Sequence, residues 1–133
     1  PAPAAAAPAA PKDDPPLDRG TLAELSGGDE RLEREILADF RQATDIDSIE
    51  LAAAITSTNH EQITRVAHRM KGACRMVGAL PLAAVCQRIE AASGGGDAAA
   101  VAAETAAFRC EVARLAMFLD RFASVSDPAG GQS

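Results

Sequence analysis

The chain has 133 residues, one domain on the usual length scale, and a formal net charge of -6 that argues against nucleic acid as a partner. Hydrophobic residues reach 47%, but aromatics only 3%, with no Trp or Tyr, so any core is aliphatic and packed through alanine. No apolar run approaches membrane-spanning length and no secretory signal is visible, so a cytoplasmic domain without membrane contact is expected.

Pro1 to Pro16 (PAPAAAAPAAPKDDPP) reads as an interdomain linker, because proline at that density favours an extended, semi-stiff spacer. The chain opens on proline rather than methionine and reads as a piece of something larger. Leu17 to Leu25 predicts a short first helix, broken at Ser26-Gly27-Gly28, with Asp29 placed to cap the next. From Asp29 to about Ala43, Leu32, Ile36, Leu37 and Phe40 fall at helical spacing. A separate third helix is expected from about Asp45 to Thr56, with Ile46, Ile49, Ala53 and Ile55 as its apolar positions.

Asn59, with Gln62 three residues on, has the pattern of a capping box. The helix that follows, His60 to about Val77, carries an apolar stripe of Ile63, Val66, Ala67, Met70, Cys74 and Val77. Its other face holds Glu61, Thr64, Arg65, His68, Lys71, Gly72 and Arg75. Gly78 is a plausible stop, and Pro81 suits the first turn of a helix to about Ala92 that buries Leu82, Val85, Cys86 and Ile89. Ser93-Gly94-Gly95-Gly96 breaks it, and Asp97 can cap a last long helix to about Ala123. Alanine and leucine favour helix, and the Val, Ile and aromatic runs that mark strands are missing. The expected fold is all-α: an up-and-down antiparallel four-helix bundle over residues 17–123, with a short extra N-terminal helix and a disordered tail over 124–133.

His68 is the candidate for chemistry. It lies off the apolar stripe, and an exposed imidazole, with a pKa of about 6.5, offers a neutral nucleophilic nitrogen near pH 7. Lys71 lies beside it at i+3, and Gly72 at i+4 accepts a loss of about 1 kcal/mol against alanine to leave open space. Four of the 13 basic residues (Arg65, Arg69, Lys71, Arg75) fall in this one segment, which suits an anionic ligand or an acidic partner face. Arg69 points off the face of His68 and is the weakest of them. No P-loop, Gly-rich nucleotide motif or carboxylate cluster stands near the histidine, so no cofactor and no metal is expected. The domain could accept a phosphoryl group but not take one from ATP by itself.

Other residues have plainer readings. His60 stands at a helix start without Lys-Gly companions and reads as an ordinary surface or core residue. Cys74, Cys86 and Cys110 lack framework spacing, so free buried thiols in a reducing compartment are expected, and a zinc site from His68, Cys74 and Cys86 lacks ligand spacing.

The run His68-Arg69-Met70-Lys71-Gly72-Ala73, then Val77-Gly78-Ala79, then Leu82, Cys86 and Ile89-Glu90, resembles the histidine-containing phosphotransfer (HPt) domain family. Leu25-Ser26-Gly27-Gly28-Asp29 followed by Phe40 adds to the likeness, which spans roughly Leu17 to Ala123. The resemblance implies that His68 is phosphorylated by a receiver aspartate and passes the group to the aspartate of a response regulator. Lys71 and Gly72 would assist at the phosphate, and Arg65, Arg75 and Thr64 would help to dock the partner. The implied partners are the receiver domain of a parent hybrid kinase and a downstream response regulator, with the domain itself a monomer in isolation. The Pro/Ala linker and the tail resemble the C-terminal end of a multidomain, membrane-anchored hybrid sensor kinase. One departure stands out: some family members carry glutamine where this chain has Glu90, and a carboxylate there could orient the ring but would repel phosphate.

Two alternatives belong to other classes. A bundle of this kind could dock a receiver without accepting phosphate. It could also be the dimerisation domain of a histidine kinase, but there an acidic residue and a proline follow the histidine, whereas here Arg69 follows and the next proline is Pro81.

Overall fold

The computed structural model describes residues 15–126, so residues 1–14 of the stretch expected as a linker, and the stretch expected as a tail from residue 127, lie outside the described residues. Five helices follow in chain order: α1 (Arg19–Ser26), α2 (Glu30–Thr56), α3 (His60–Val77), α4 (Leu80–Gly94) and α5 (Ala98–Ser126). No strand occurs among the described residues. Each long helix packs on its neighbour in sequence, and α2 also meets α5, which closes the bundle. The short joints force consecutive helices to run antiparallel. The all-α bundle with a short extra N-terminal helix is therefore the observed architecture.

Side chains set most helix starts. Asp18 accepts from the backbone N–H of Gly20 and from the hydroxyl of Thr21. Asp29 accepts from the N–H groups of Arg31 and Leu32, Asn59 from that of Gln62, and Asp97 from that of Ala100. Each such cap is worth about 1 kcal/mol. Only half of the expected capping box at Asn59 is seen, because the Asn59 N–H donates to the Ala54 carbonyl and the Gln62 Oε1 accepts from Arg65 instead.

The expectation of two helices between Asp29 and Thr56 is corrected, since α2 runs through without a break. No glycine or proline interrupts that stretch. The buried positions are Glu33, Leu37, Phe40, Thr44, Asp47, Leu51 and Ala54, a stripe alternating in steps of four and three. Polar residues occupy three of its seven places, which hides it from a reading of apolar spacing. Asp47 is held by Arg69, and Glu33 by the Ser26 hydroxyl, so burial does not strand them. The apolar positions expected for the second half are corrected too: Ile46 and Ile49 face solvent, at 57% and 73% exposure.

Elsewhere the apolar pattern is the core. The buried positions of α3 are Ile63, Val66, Ala67, Met70, Cys74 and Val77, and α4 buries Leu82, Val85, Cys86 and Ile89. Leu17 and Leu22 are fully buried where α1 covers the bundle end, each contributing about 2 kcal/mol by area. α5 continues to Ser126, into the stretch expected as tail.

Candidate functional site

α3 is the most polarised helix of the bundle, with one buried apolar stripe and a charged outer face. His68 stands on that outer face with its side chain 68% exposed. Its ring is nevertheless held. Nδ1 lies 2.8 Å from Glu90 Oε2 across the α3–α4 seam, which leaves Nε2 as the outward nitrogen. The other carboxylate oxygen, Glu90 Oε1, forms an ion pair with Lys71 Nζ at 2.6 Å. Lys71 also donates to Gln87 Oε1 at 2.9 Å, one turn from Glu90 on α4. Its side chain is only 12% exposed, so the charge is tucked into the seam rather than extended into solvent.

The Lys71 ammonium, and then the imidazole hydrogen bond, hold the Glu90 carboxyl below the ordinary glutamate range, so the group is ionised at neutral pH. Next to this cluster, Gly72 is exposed, and a Cβ built on it would meet nothing within 4 Å. The clearance expected beside the histidine is present in the fold.

The remaining candidates divide. Arg75 is exposed on the same outer face, one turn beyond Lys71. Arg65 is exposed but tethered locally, donating to Gln62 Oε1 at 2.7 Å with Glu61 3.7 Å away. Thr64 is half-buried, and its hydroxyl shares a 2.6 Å hydrogen bond with Ser93 of α4, so it braces the seam. Arg69 turns away from the histidine to Asp47 and Glu50 of α2, both at 2.7 Å, and those two carboxylates raise its pKa. His60 is the first residue of α3, with a buried Nδ1 that has no hydrogen-bond partner among the described residues.

One participant and one contact escaped the sequence reading. Gln87 carried no local signal, although its spacing from Glu90 puts both on one face of α4. The bridge from Glu90 to both His68 and Lys71 is a contact between helices, which spacing within one helix cannot reveal. Cys74 and Cys86 are buried in the core with burial pushing both thiols up, Cys86 to about 12, so neither is a thiolate at neutral pH. Cys110 is exposed, which corrects the expectation of a buried thiol there. Among the described residues, no group of three or more His, Cys, Asp or Glu is placed to hold a metal, and no helix is long and apolar enough to cross a membrane.

A helical bundle that presents one oriented imidazole outward, beside a cleared patch and a basic helix face, fits the class of histidine phosphotransfer bundles. The Hpt domain family matches residues 35–124, and the chain belongs to that family. Among solved structures it is similar to the crystal structure of histidine-containing phosphotransfer protein B (HptB) from Pseudomonas aeruginosa PAO1, with a TM-score of 0.76 and 24% identity. That likeness covers 82% of this chain and 95% of the other. No curated protein matches the chain. Membership of the family supports a histidine phosphotransfer role in a phosphorelay.

Proposed function

We propose that His68 accepts a phosphoryl group on Nε2 from the aspartyl phosphate of a receiver domain and passes it to the aspartate of a response regulator. The observation that carries this reading is the ring itself: exposed, fixed through Nδ1, and aimed outward beside the open space at Gly72. The metal and the activated phosphate come from the receiver, so the bundle contributes a positioned nucleophile and charge. Lys71 and Gly72 act at the phosphate, Lys71 by charge and Gly72 by absence of bulk. Arg75 and Arg65 form a cationic rim for the acidic receiver, while Thr64 serves this surface only through its hydrogen bond to Ser93.

The partners in this reading are the receiver of a parent hybrid kinase and a downstream regulator, met by a monomeric domain. We place the bundle at the C-terminal end of a hybrid sensor kinase of the BvgS type, on the cytoplasmic side of a membrane-anchored parent whose output is virulence regulation. The Pro/Ala-rich stretch ahead of Leu17 supports this as a spacer from preceding domains.

The test is transfer of label from a phosphorylated receiver to the wild-type domain and to H68Q. Acid-labile, alkali-stable label on the wild type alone is the expected result. If H68Q is labelled equally, the acceptor lies elsewhere. If the wild type binds the receiver and stays unlabelled, the bundle is a docking module.

A further inference from the structure

We propose that Arg75 is a further catalytic residue, a cation that binds the phosphoryl oxygens while the group sits on His68 and while it passes to or from the receiver. The proposal rests on the reading of His68 as phosphoacceptor and gives Arg75 a role beyond the cationic rim.

The other charges around the histidine are already matched. Lys71 lies 2.6 Å from Glu90 Oε1, and that carboxyl is ionised at neutral pH. Arg69 holds Asp47 and Glu50, and Arg65 stands 3.7 Å from Glu61. Three cations thus face four carboxylates, so a phosphoryl group on Nε2 meets no surplus positive charge from them. Arg75 is the exception on this helix. It is exposed, and no carboxylate pairs with it among the described residues.

Its position is set by the helix. Arg75 is seven residues beyond His68, two turns along and on nearly the same face. Long helical side chains fold back towards the N-terminus, which directs Arg75 over the Lys71–Gly72 turn, towards the ring. Lys71 is tucked into the seam there and Gly72 has no side chain, so the path is clear. The same rule directs Arg65 away from His68, and its contacts with Gln62 and Glu61 agree. Across the seam nothing competes for Arg75. Lys71 meets Gln87 and the helices run antiparallel, so one turn further along α3 faces Ala83 and Ala84.

The chemistry has use for such a cation. In acceptance, the Nε2 lone pair forms the N–P bond as the P–O bond of the aspartyl phosphate breaks and the aspartate leaves as its carboxylate. In donation, an aspartate oxygen of the regulator attacks phosphorus, the N–P bond breaks, and its electron pair returns to Nε2. The phosphoryl oxygens carry negative charge throughout, and a guanidinium can meet two of them through paired N–H donors. Arg75 keeps its protons in both directions and contributes only hydrogen bonds and charge. A docked receiver excludes water from the site, which strengthens the contact.

The test is single-turnover transfer from a phosphorylated receiver, over a range of receiver concentrations, with the wild type, R75A and R75K. It is joined to ³¹P NMR titration of the same domains phosphorylated chemically with phosphoramidate, which needs no receiver. In R75A the rate at saturating receiver should fall by about 10- to 100-fold, the scale of a lost hydrogen bond to a charged group. Affinity for the unphosphorylated receiver should change by no more than about fivefold, the scale of an exposed charge pair. R75K keeps the charge and loses the paired donors, so its rate should fall between the two. The second ionisation of the phosphoryl group should move to higher pH in R75A, because the cation that favours the dianion is gone. A wild-type rate at saturation, with only the affinity weakened, would make Arg75 a docking residue and overturn the proposal. So would a ³¹P titration that R75A leaves unaltered. If the receiver fails to label the wild type, the reading of His68 falls instead, while the ³¹P titration still decides whether Arg75 meets a phosphoryl group held there.

Discussion

The two seams of the bundle that flank α3–α4 and α2–α5 are built on opposite principles. The α3–α4 seam is the most extensively packed helix contact among the described residues, and small buried residues (Ala67, Cys74, Ala79, Ala83, Cys86) let the helices approach closely. The α2–α5 seam packs far less and leaves a groove of about 360 Å³ lined by Leu51, Ile55, Phe108 and Val112, pinned at one end by Arg41 and Asp120. The His68–Glu90–Lys71 cluster spans the tight seam. Two side chains on different helices hold a 2.8 Å hydrogen bond only if their backbones do not drift, and the close seam prevents drift. Rigidity is concentrated where the chemistry needs it.

The largest effect is expected at the end of the tight seam. Gly78 closes α3 with φ +91, and a Cβ there would stand 2.7 Å from the backbone oxygen of Asp18 and 2.9 Å from Thr21 Cβ. Its own carbonyl accepts from the Asp18 N–H at 2.7 Å, so this glycine both ends a helix and seats α1. The sequence reading gave it the first role alone. Gly78→Ala should cost about 2–4 kcal/mol, from left-handed strain and the loss of α1 docking, measured by urea unfolding. A cost below about 1 kcal/mol would mean that α1 is not fastened here.

A matched pair of substitutions tests the contrast directly. Ala83 is buried on the face of α4 that also carries Gln87 and Glu90. Ala83→Leu should overpack the seam, cost about 1–3 kcal/mol, and slow transfer by displacing Glu90. Ala113 lines the α2–α5 groove and is exposed. Ala113→Leu has room to lie in the groove and should stay within about 0.5 kcal/mol of the wild type, with transfer unaltered. Equal destabilisation by both would erase the distinction between the seams.

The same contrast explains what could be read from the sequence. Every buried position of α3 is apolar, so its stripe was legible, and the His68, Lys71 and Gly72 spacing with it. α2 misled because Glu33, Thr44 and Asp47 fill core-facing places while Ile46 and Ile49 face out. Burial of Asp47 is made tolerable by Arg69 on another helix, and no local pattern announces such a partner. Lys71 was legible as a charge near the histidine, but not as one already bound to Glu90 and Gln87. Periodicity reports which face of a helix is buried; it does not report what faces it.

A small gain in stability separates folding from function at one residue. Gly72 lies inside α3, with nothing within 4 Å of a built Cβ, so alanine fits without a clash. Gly72→Ala should raise stability by about 0.5–1 kcal/mol, because alanine is the better helix former and restricts the unfolded chain. The added methyl lies one turn from His68, in the space a receiver would enter, so transfer should fall by about tenfold or more. A rise in melting temperature joined to slower transfer would show that the glycine is kept for clearance against its cost to the helix. If Gly72→Ala stabilises the bundle and transfers at the wild-type rate, the partner does not approach over this turn, and the docking face must be sought on the other side of the ring.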